Sequence, residues 1–281
     1  MRYLVGNWKM NPPSREEAVQ LTRHIVESLQ PLRDTTIVLC PPFIWLEAVS
    51  STLRTYGIVN KERGKNGIAL GAQDVYYAET GTFTGQISPL MLRDLGVAYA
   101  LIGHSERRIH ANEDDPLINK KIHACLEHDI TPILLVGDED SLSYHGLSDE
   151  ASERTRELEA IATHLERDLE DVPGDRLHDI LFVYEPVWAI STGTATNNKA
   201  ASPEFVTSRI EDMKTILQDI FEGSSADTTH CTYLYGGSSN QDNLASLMKQ
   251  PRIQGVVAGG ASLRPNEFAR MASIMQIATS S

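Results

Sequence analysis

Ala98-Tyr99-Ala100-Leu101-Ile102-Gly103-His104-Ser105-Glu106-Arg107-Arg108 joins an unbroken apolar run to a glycine, a histidine and a charged stretch. The apolar run Ala98–Ile102 reads as a short strand, and a helix is expected to begin near Ser105. The same pattern repeats along the chain. Further strand candidates are Tyr3–Asn7, Thr36–Cys40, Ile68–Ala72, Thr131–Val136, Ile180–Tyr184, Cys231–Tyr235 and Gly255–Ala258. Amphipathic stretches lie between them. Ser14-Arg15-Glu16-Glu17 opens one with a capping serine, and Val19, Leu21, Ile25, Val26 and Leu29 can form its apolar face. Ser202-Pro203-Glu204 opens another with proline at the favoured first position, continued by Ile210, Met213, Ile216, Leu217 and Ile220. The spacing is mostly about 30 residues, as repeated βα units require. A doubly wound sheet also fits simple alternation. Eight units with no linker favour a closed (β/α)₈ barrel, one domain over residues 1–281. The polar segments Gly57–Asn66, Glu139–Asp149 and Asp171–Asp179 read as solvated surface loops of that domain.

Composition narrows the function. The 281 residues carry 25 Lys plus Arg against 38 Asp plus Glu, a formal net charge of −13. That balance argues against nucleic-acid binding through a broad basic surface. It leaves room for an anionic substrate, because one lysine and a few backbone N–H groups can make a local positive site. No apolar run reaches the roughly 18 residues of a membrane span, and the N-terminus lacks the long apolar stretch of a secretory signal. Cys40, Cys125 and Cys231 have no metal-type spacing and read as isolated thiols of a reducing compartment, so the cytoplasm is the expected location.

On a barrel, reactive groups sit where strands end and βα loops begin. Lys9 follows the first strand, His104 the fourth and Glu185 the sixth. Glycine pairs follow the seventh and eighth, in Tyr235-Gly236-Gly237-Ser238 and Val257-Ala258-Gly259-Gly260-Ala261. Each alone has a bland explanation: a loop cation, a structural histidine, a capping carboxylate, tight turns. Together they place a cation, an imidazole, a carboxylate and two glycine turns at one rim. That set suits proton transfer beside a carbonyl of a phosphorylated compound. The carboxylate removes a carbon-bound proton, the imidazole and ammonium stabilise the oxyanion, and glycine-turn N–H groups hold phosphate.

With Asn7-Trp8-Lys9-Met10-Asn11, Gly103-His104-Ser105-Glu106-Arg107-Arg108, Tyr184-Glu185-Pro186-Val187-Trp188-Ala189-Ile190, Tyr235-Gly236-Gly237-Ser238 and Gly259-Gly260-Ala261-Ser262-Leu263, the chain resembles the triosephosphate isomerase family from Gly6 to about Ile277. The resemblance implies a glycolytic and gluconeogenic isomerase of glyceraldehyde 3-phosphate and dihydroxyacetone phosphate, needing no cofactor and no metal. It implies Glu185 as base, His104 as neutral electrophile, Lys9 as substrate-binding cation and Asn7 as a holder of substrate oxygens. Glu106 then pairs with the lysine, and Ser191, Ser238, Gly259 and Gly260 belong to the phosphate site. Pro186–Asn198 resembles the family's lid, with Pro186 and Trp188 as its first hinge. Asp74–Ile87 resembles its dimer loop, with Phe83 and Thr84 reaching a second subunit of a homodimer.

The chain departs from the family at several places. Ser191 stands for a usual Gly and Thr194 for a usual Lys, and Asn197-Asn198-Lys199-Ala200 looks like an insertion of about three residues. Leu135 stands for Cys, Asp138 for Glu and Gln86 for Glu. None removes a reactive group, but the lid changes leave a tetrose-phosphate (erythrulose-phosphate type) isomerase as the alternative enzyme. A barrel that binds a sugar phosphate without turning it over is the alternative outside catalysis.

Overall fold

Strand after strand in this chain is apolar without alternation because both faces are covered. In the computed structural model, which describes residues 1–57, 67–145, 149–190, 200–223, 226 and 228–277, the strands are β1 (Arg2–Asn7), β2 (Thr35–Cys40), β3 (Gly67–Ala72), β4 (Val97–Ile102), β5 (Thr131–Val136), β6 (Leu181–Tyr184), β7 (Thr232–Tyr235) and β8 (Gly255–Ala258). All pair in parallel, in sequence order, and β8 closes onto β1 with Tyr3 opposite Gly255. The result is a closed (β/α)₈ barrel. A side chain on Gly255 would run into the backbone of Tyr3, so a glycine permits the closure.

One set of strand side chains, including Tyr3, Val5, Val38, Tyr99, Leu101, Ile133, Val183 and Leu234, packs inside the barrel. The alternate set, including Leu4, Ile37, Leu39, Ile102, Leu134 and Phe182, packs outward with the helices. Helix starts follow their local chemistry. Ser14 Oγ accepts the N–H of Glu17 at 3.2 Å and opens the helix Arg15–Ser28, which buries Leu21 and Ile25 and leaves Val19, Val26 and Leu29 half-buried. Ser202 accepts the N–H of Phe205 at 3.2 Å and opens Pro203–Ile220, which buries Ile210, Met213 and Leu217.

Four strands begin one residue before the runs read from sequence, and β6 and β7 begin one residue after. Ile180 is instead spent closing a 3₁₀ turn, its N–H on the carbonyl of Leu177. Two of the expected loops are more ordered than a solvated segment. Glu139–Asp149 contains the helical turn Ser141–Tyr144 with Ser141 buried, and Asp149 caps the helix Glu150–Asp168. Asp171–Asp179 contains the turn Gly174–Asp179, anchored by fully buried Leu177. Of the segment Gly57–Asn66, only Gly57 lies among the described residues.

Candidate active site

The C-terminal ends of β1, β4 and β6 bring three reactive side chains to one rim. Lys9, two residues past β1, has φ +52°, a left-handed conformation that costs a residue with a Cβ about 1–3 kcal/mol. Two side chains hold it there. Asn7 Oδ1 accepts the Lys9 N–H at 3.0 Å, and Gln73 Nε2 donates to the carbonyls of Lys9 (2.8 Å) and Cys40 (2.9 Å). The ammonium lies 2.5 Å from Glu106 Oε1. Burial alone would raise the Glu106 carboxyl, but the hydrogen bond and charge of Lys9 outweigh it and hold it below the usual glutamate value.

His104 is the N-cap of the helix Ser105–Ala111, entered through Gly103 at φ +75°. Its Nδ1 accepts the N–H of Glu106 at 3.1 Å, a bond that needs that nitrogen unprotonated. In the neutral ring the proton then sits on Nε2. That nitrogen lies 3.4 Å from Glu185 Oε1. Arg108, one turn along, donates Nε to the carbonyl of Gly103 at 3.0 Å and braces the turn from behind.

Glu185 follows β6, its N–H on the carbonyl of Val136 at 2.8 Å. A side chain on Gly137 would collide with the Glu185 carbonyl, so Gly137 makes room for the Glu185 backbone. Glu185 is only 2% exposed. Oε2 accepts the N–H of Ser105 at 2.8 Å, while Oε1 makes no hydrogen bond among the described residues. A buried carboxylate oxygen without a donor is costly, so such an atom asks for a function.

A cavity of about 460 Å³ opens at this rim, lined by Asn7, Lys9, His104, Ser238, Gly259 and Gly260 among others. Glu185 itself stands behind the wall, drawn back against Ser105. The backbone N–H of Ser238 donates to Ala189 O at 3.2 Å, so this expected phosphate donor is engaged by the turn Val187–Ala189.

Behind His104 lies a buried ionic cluster. Arg108 pairs with Asp115 (2.5 Å) and Asp168 (2.7 Å), and His164 bridges Asp115 (2.7 Å) and Glu139 (3.1 Å). Burial alone would lower His164, but its hydrogen bonds to Asp115 and Glu139 prevail and lift it to about 9. Burial drives Asp168 up to about 7 despite Arg108. For Asp115 burial pulls upward too, but His164 and Arg108 outweigh it and hold the carboxyl at about 2.

The family model described as triosephosphate isomerase matches residues 2–275. The chain is 38% identical over 268 residues to the triosephosphate isomerase of Roseiflexus castenholzii, covering 95% of each chain. The chain belongs to the triosephosphate isomerase family. It is also 38% identical over 276 residues to the triosephosphate isomerase of a second Roseiflexus, strain RS-1, covering 98% of this chain and 97% of the relative.

Measured against the residues that the family resemblance singled out, the structure brings Asn7, Lys9, His104, Glu106, Glu185, Ser238, Gly259 and Gly260 to the same rim. Ser191, Thr194 and Asn197-Asn198-Lys199 lie outside the described residues. Phe83 and Thr84 lie on the Asp74–Ile87 loop, both exposed. The Phe83 ring, 39% exposed, packs on Tyr76 (4.9 Å) and Tyr77 (6.1 Å) of its own chain. Sequence reasoning missed Gln73, which holds the Lys9 carbonyl, and Asn240 and Arg264, which line the cavity. Gln73 carries no signal, since it acts through backbone carbonyls of distant segments. Arg264 had one: it directly follows the Gly259–Leu263 motif.

Proposed function

We propose that this chain interconverts glyceraldehyde 3-phosphate and dihydroxyacetone phosphate through an enediolate, with Glu185 as the base. Glu185 Oε1, which accepts no hydrogen bond among the described residues and lies 3.4 Å from His104 Nε2, carries this reading. To act, the carboxylate gives up the Ser105 N–H and swings into the cavity. There it takes the proton from the carbon beside the carbonyl and returns it to the neighbouring carbon, while the hydroxyl proton passes to the former carbonyl oxygen by way of His104 Nε2. Lys9 and the Nε2–H of His104 stabilise the charge that develops on oxygen, the term that dominates in a site sheltered from water. Asn7 keeps Lys9 in place and faces the substrate oxygens. Backbone N–H groups around Ser238, Gly259 and Gly260, with Ser191 from the lid, hold the phosphate. Capturing Ser238 N–H displaces Ala189 O, which ties substrate binding to the lid's first hinge. The carbonyl is polarised by side chains of this chain, so the reading calls on no cofactor and no metal.

We further propose one barrel domain over 1–281, working as a homodimer in the cytoplasm and binding neither nucleic acid nor membrane. Phe83, Thr84, Met10 and Ile44 stand exposed on the site side, and large apolar side chains in water favour a covered face. Cys40, Cys125 and Cys231 are buried and form no disulfide among the described residues, which fits a reducing compartment. Among the described residues no helix is long and apolar enough to cross a membrane.

The experiment is a parallel measurement of kcat/KM on triose and tetrose phosphates. The proposal expects the triose to be preferred. A tenfold or greater preference for the tetrose would hand the assignment to the four-carbon reaction, with the same side chains in the same roles.

A further inference from the structure

Two cations flank the glycine pair that follows β8. A methyl group on Gly259 would lie 3.5 Å from Cε of Lys9, and one on Gly260 would lie 3.8 Å from Nη1 of Arg264. Both cations line the same 460 Å³ cavity. Lys9 is committed: it is 25% exposed, its backbone is fixed by Asn7 and Gln73, and its ammonium is held by Glu106. Arg264 reaches the turn at Gly260, where Lys9 reaches it at Gly259. Its Nη1 donates to the carbonyl of Gly260 at 3.1 Å and its Nε to Glu267, while Nη2 makes no hydrogen bond among the described residues. The side chain is 60% exposed. The pair joins Arg264, the residue just before the helix Pro265–Ile277, to Glu267 in its first turn, and a solvent-facing ion pair of this kind contributes at most about 1 kcal/mol, so re-aiming the guanidinium costs little.

Resting on the function proposed above, we propose that Arg264 is a second phosphate-binding cation of this site. The dianion sits over Gly259 and Gly260, between Lys9 on the reacting side and Arg264 on the outer side. A guanidinium presents several N–H donors in a planar fork suited to phosphate oxygens, and Nη2 is the one with nothing to release first. Glu267 holds the group when the site is empty and competes with phosphate for it. Because Arg264 is exposed, its share of the binding is screened by salt: the Debye length falls from about 10 Å at 0.1 M to about 3 Å at 1 M.

The competing account makes Arg264 a brace for the Gly260 carbonyl alone. Charge separates the two accounts, because Arg264→Lys keeps the cation and loses the fork. Inorganic phosphate is titrated calorimetrically, and as an inhibitor of triose isomerisation, against wild type, Arg264→Gln, Arg264→Lys and Glu267→Gln, in low and high potassium chloride. Arg264→Gln is expected to weaken phosphate about three- to tenfold at low salt, with most of the loss gone near 1 M. Arg264→Lys, which keeps the charge and loses the fork, should lose less than Arg264→Gln and retain most of the salt dependence, and Glu267→Gln should tighten binding. Unchanged phosphate affinity in Arg264→Gln overturns the proposal. Equal losses in Arg264→Lys and Arg264→Gln, insensitive to salt, overturn it in favour of the brace. A wild type that binds phosphate but fails to isomerise triose phosphate would count against the proposed function instead, and the phosphate titration would still decide the role of Arg264.

Discussion

Gln73 touches neither the cavity nor any reactive atom, yet it should govern substrate affinity. Its Nε2 holds the carbonyls of Lys9 at 2.8 Å and Cys40 at 2.9 Å, and so keeps Lys9 in the left-handed region at φ +52°. Gln73→Met keeps the length of the side chain and removes both donors. A hydrogen bond of this kind contributes about 1 kcal/mol net, and the left-handed backbone it supports costs about 1–3 kcal/mol. Loss of about 1 kcal/mol lowers the ratio of the competent Lys9 conformer to its alternatives about fivefold, and apparent affinity falls by up to that factor. The bond to Cys40 joins β2 to the β3 loop, and its loss lowers stability instead. Steady-state kinetics on glyceraldehyde 3-phosphate should therefore show KM raised, by up to about fivefold, with kcat within about twofold. Calorimetry should show Tm lower by a few degrees. A variant with lowered Tm and unchanged KM would mean that Lys9 keeps its conformation without Gln73, and the argument from backbone strain would fail.

Three other outcomes follow from the same geometry. His104→Gln removes the imidazole and its tautomer-fixing bond to Glu106, and should cost about 10²-fold or more in kcat with an unchanged circular dichroism spectrum. Phe83→Asp places a charge where the proposed partner subunit packs, so sedimentation should show monomers and activity should fall with assembly; an intact, active dimer would contradict the interlocking arrangement. His164 is raised from 6.5 to about 9, so its stabilising contribution is complete below pH 6.5 and is lost as the pH climbs to about 9. Wild type should lose on the order of 3 kcal/mol more than His164→Gln between pH 6 and 10, measured by denaturant unfolding. Asp168 contributes with the same sign at lower pH, and because the charge of His164 helps hold its carboxyl down, the difference between the two proteins reports the coupled pair. Parallel pH curves would place His164 outside the cluster's energetics.

The barrel was legible because its strands are buried on both faces. Runs such as Ile133-Leu134-Leu135-Val136 read as buried strands once they recur between amphipathic stretches, and it is the count of eight units without a linker that separates a closed barrel from a doubly wound sheet. The rim was legible for a related reason: Lys9, His104 and Glu185 each stand one or two residues beyond such a run. What stayed hidden acts across long separations. Nothing near Gln73 announces that it holds the backbone of Lys9, 64 residues away. Nothing in the local sequence of Asp168 shows that its carboxylate meets Arg108, 60 residues earlier. Glu139–Asp149 looked like loop by composition. Within it Ser141–Tyr144 forms a helical turn, where Ser141 Oγ donates back to the carbonyl of Asp138 and His145 stacks on Trp188 at 4.0 Å. The engagement of Ser238 N–H by Ala189 is equally invisible in a motif, since it depends on where the turn after Glu185 happens to rest.

The central claim is that Glu185 removes the proton. Glu185→Asp keeps the charge and draws the carboxylate back by one methylene, roughly 1 Å from the reacting carbon, and a misplacement of that size can cost about 10²-fold. The decisive measurement is kcat of Glu185→Asp beside wild type on saturating glyceraldehyde 3-phosphate. A fall of about 10²-fold or more, in a protein that still folds and still binds inorganic phosphate, is the result expected. A kcat within about threefold of wild type would show that some other group takes the proton, and the role given to Glu185 would be wrong.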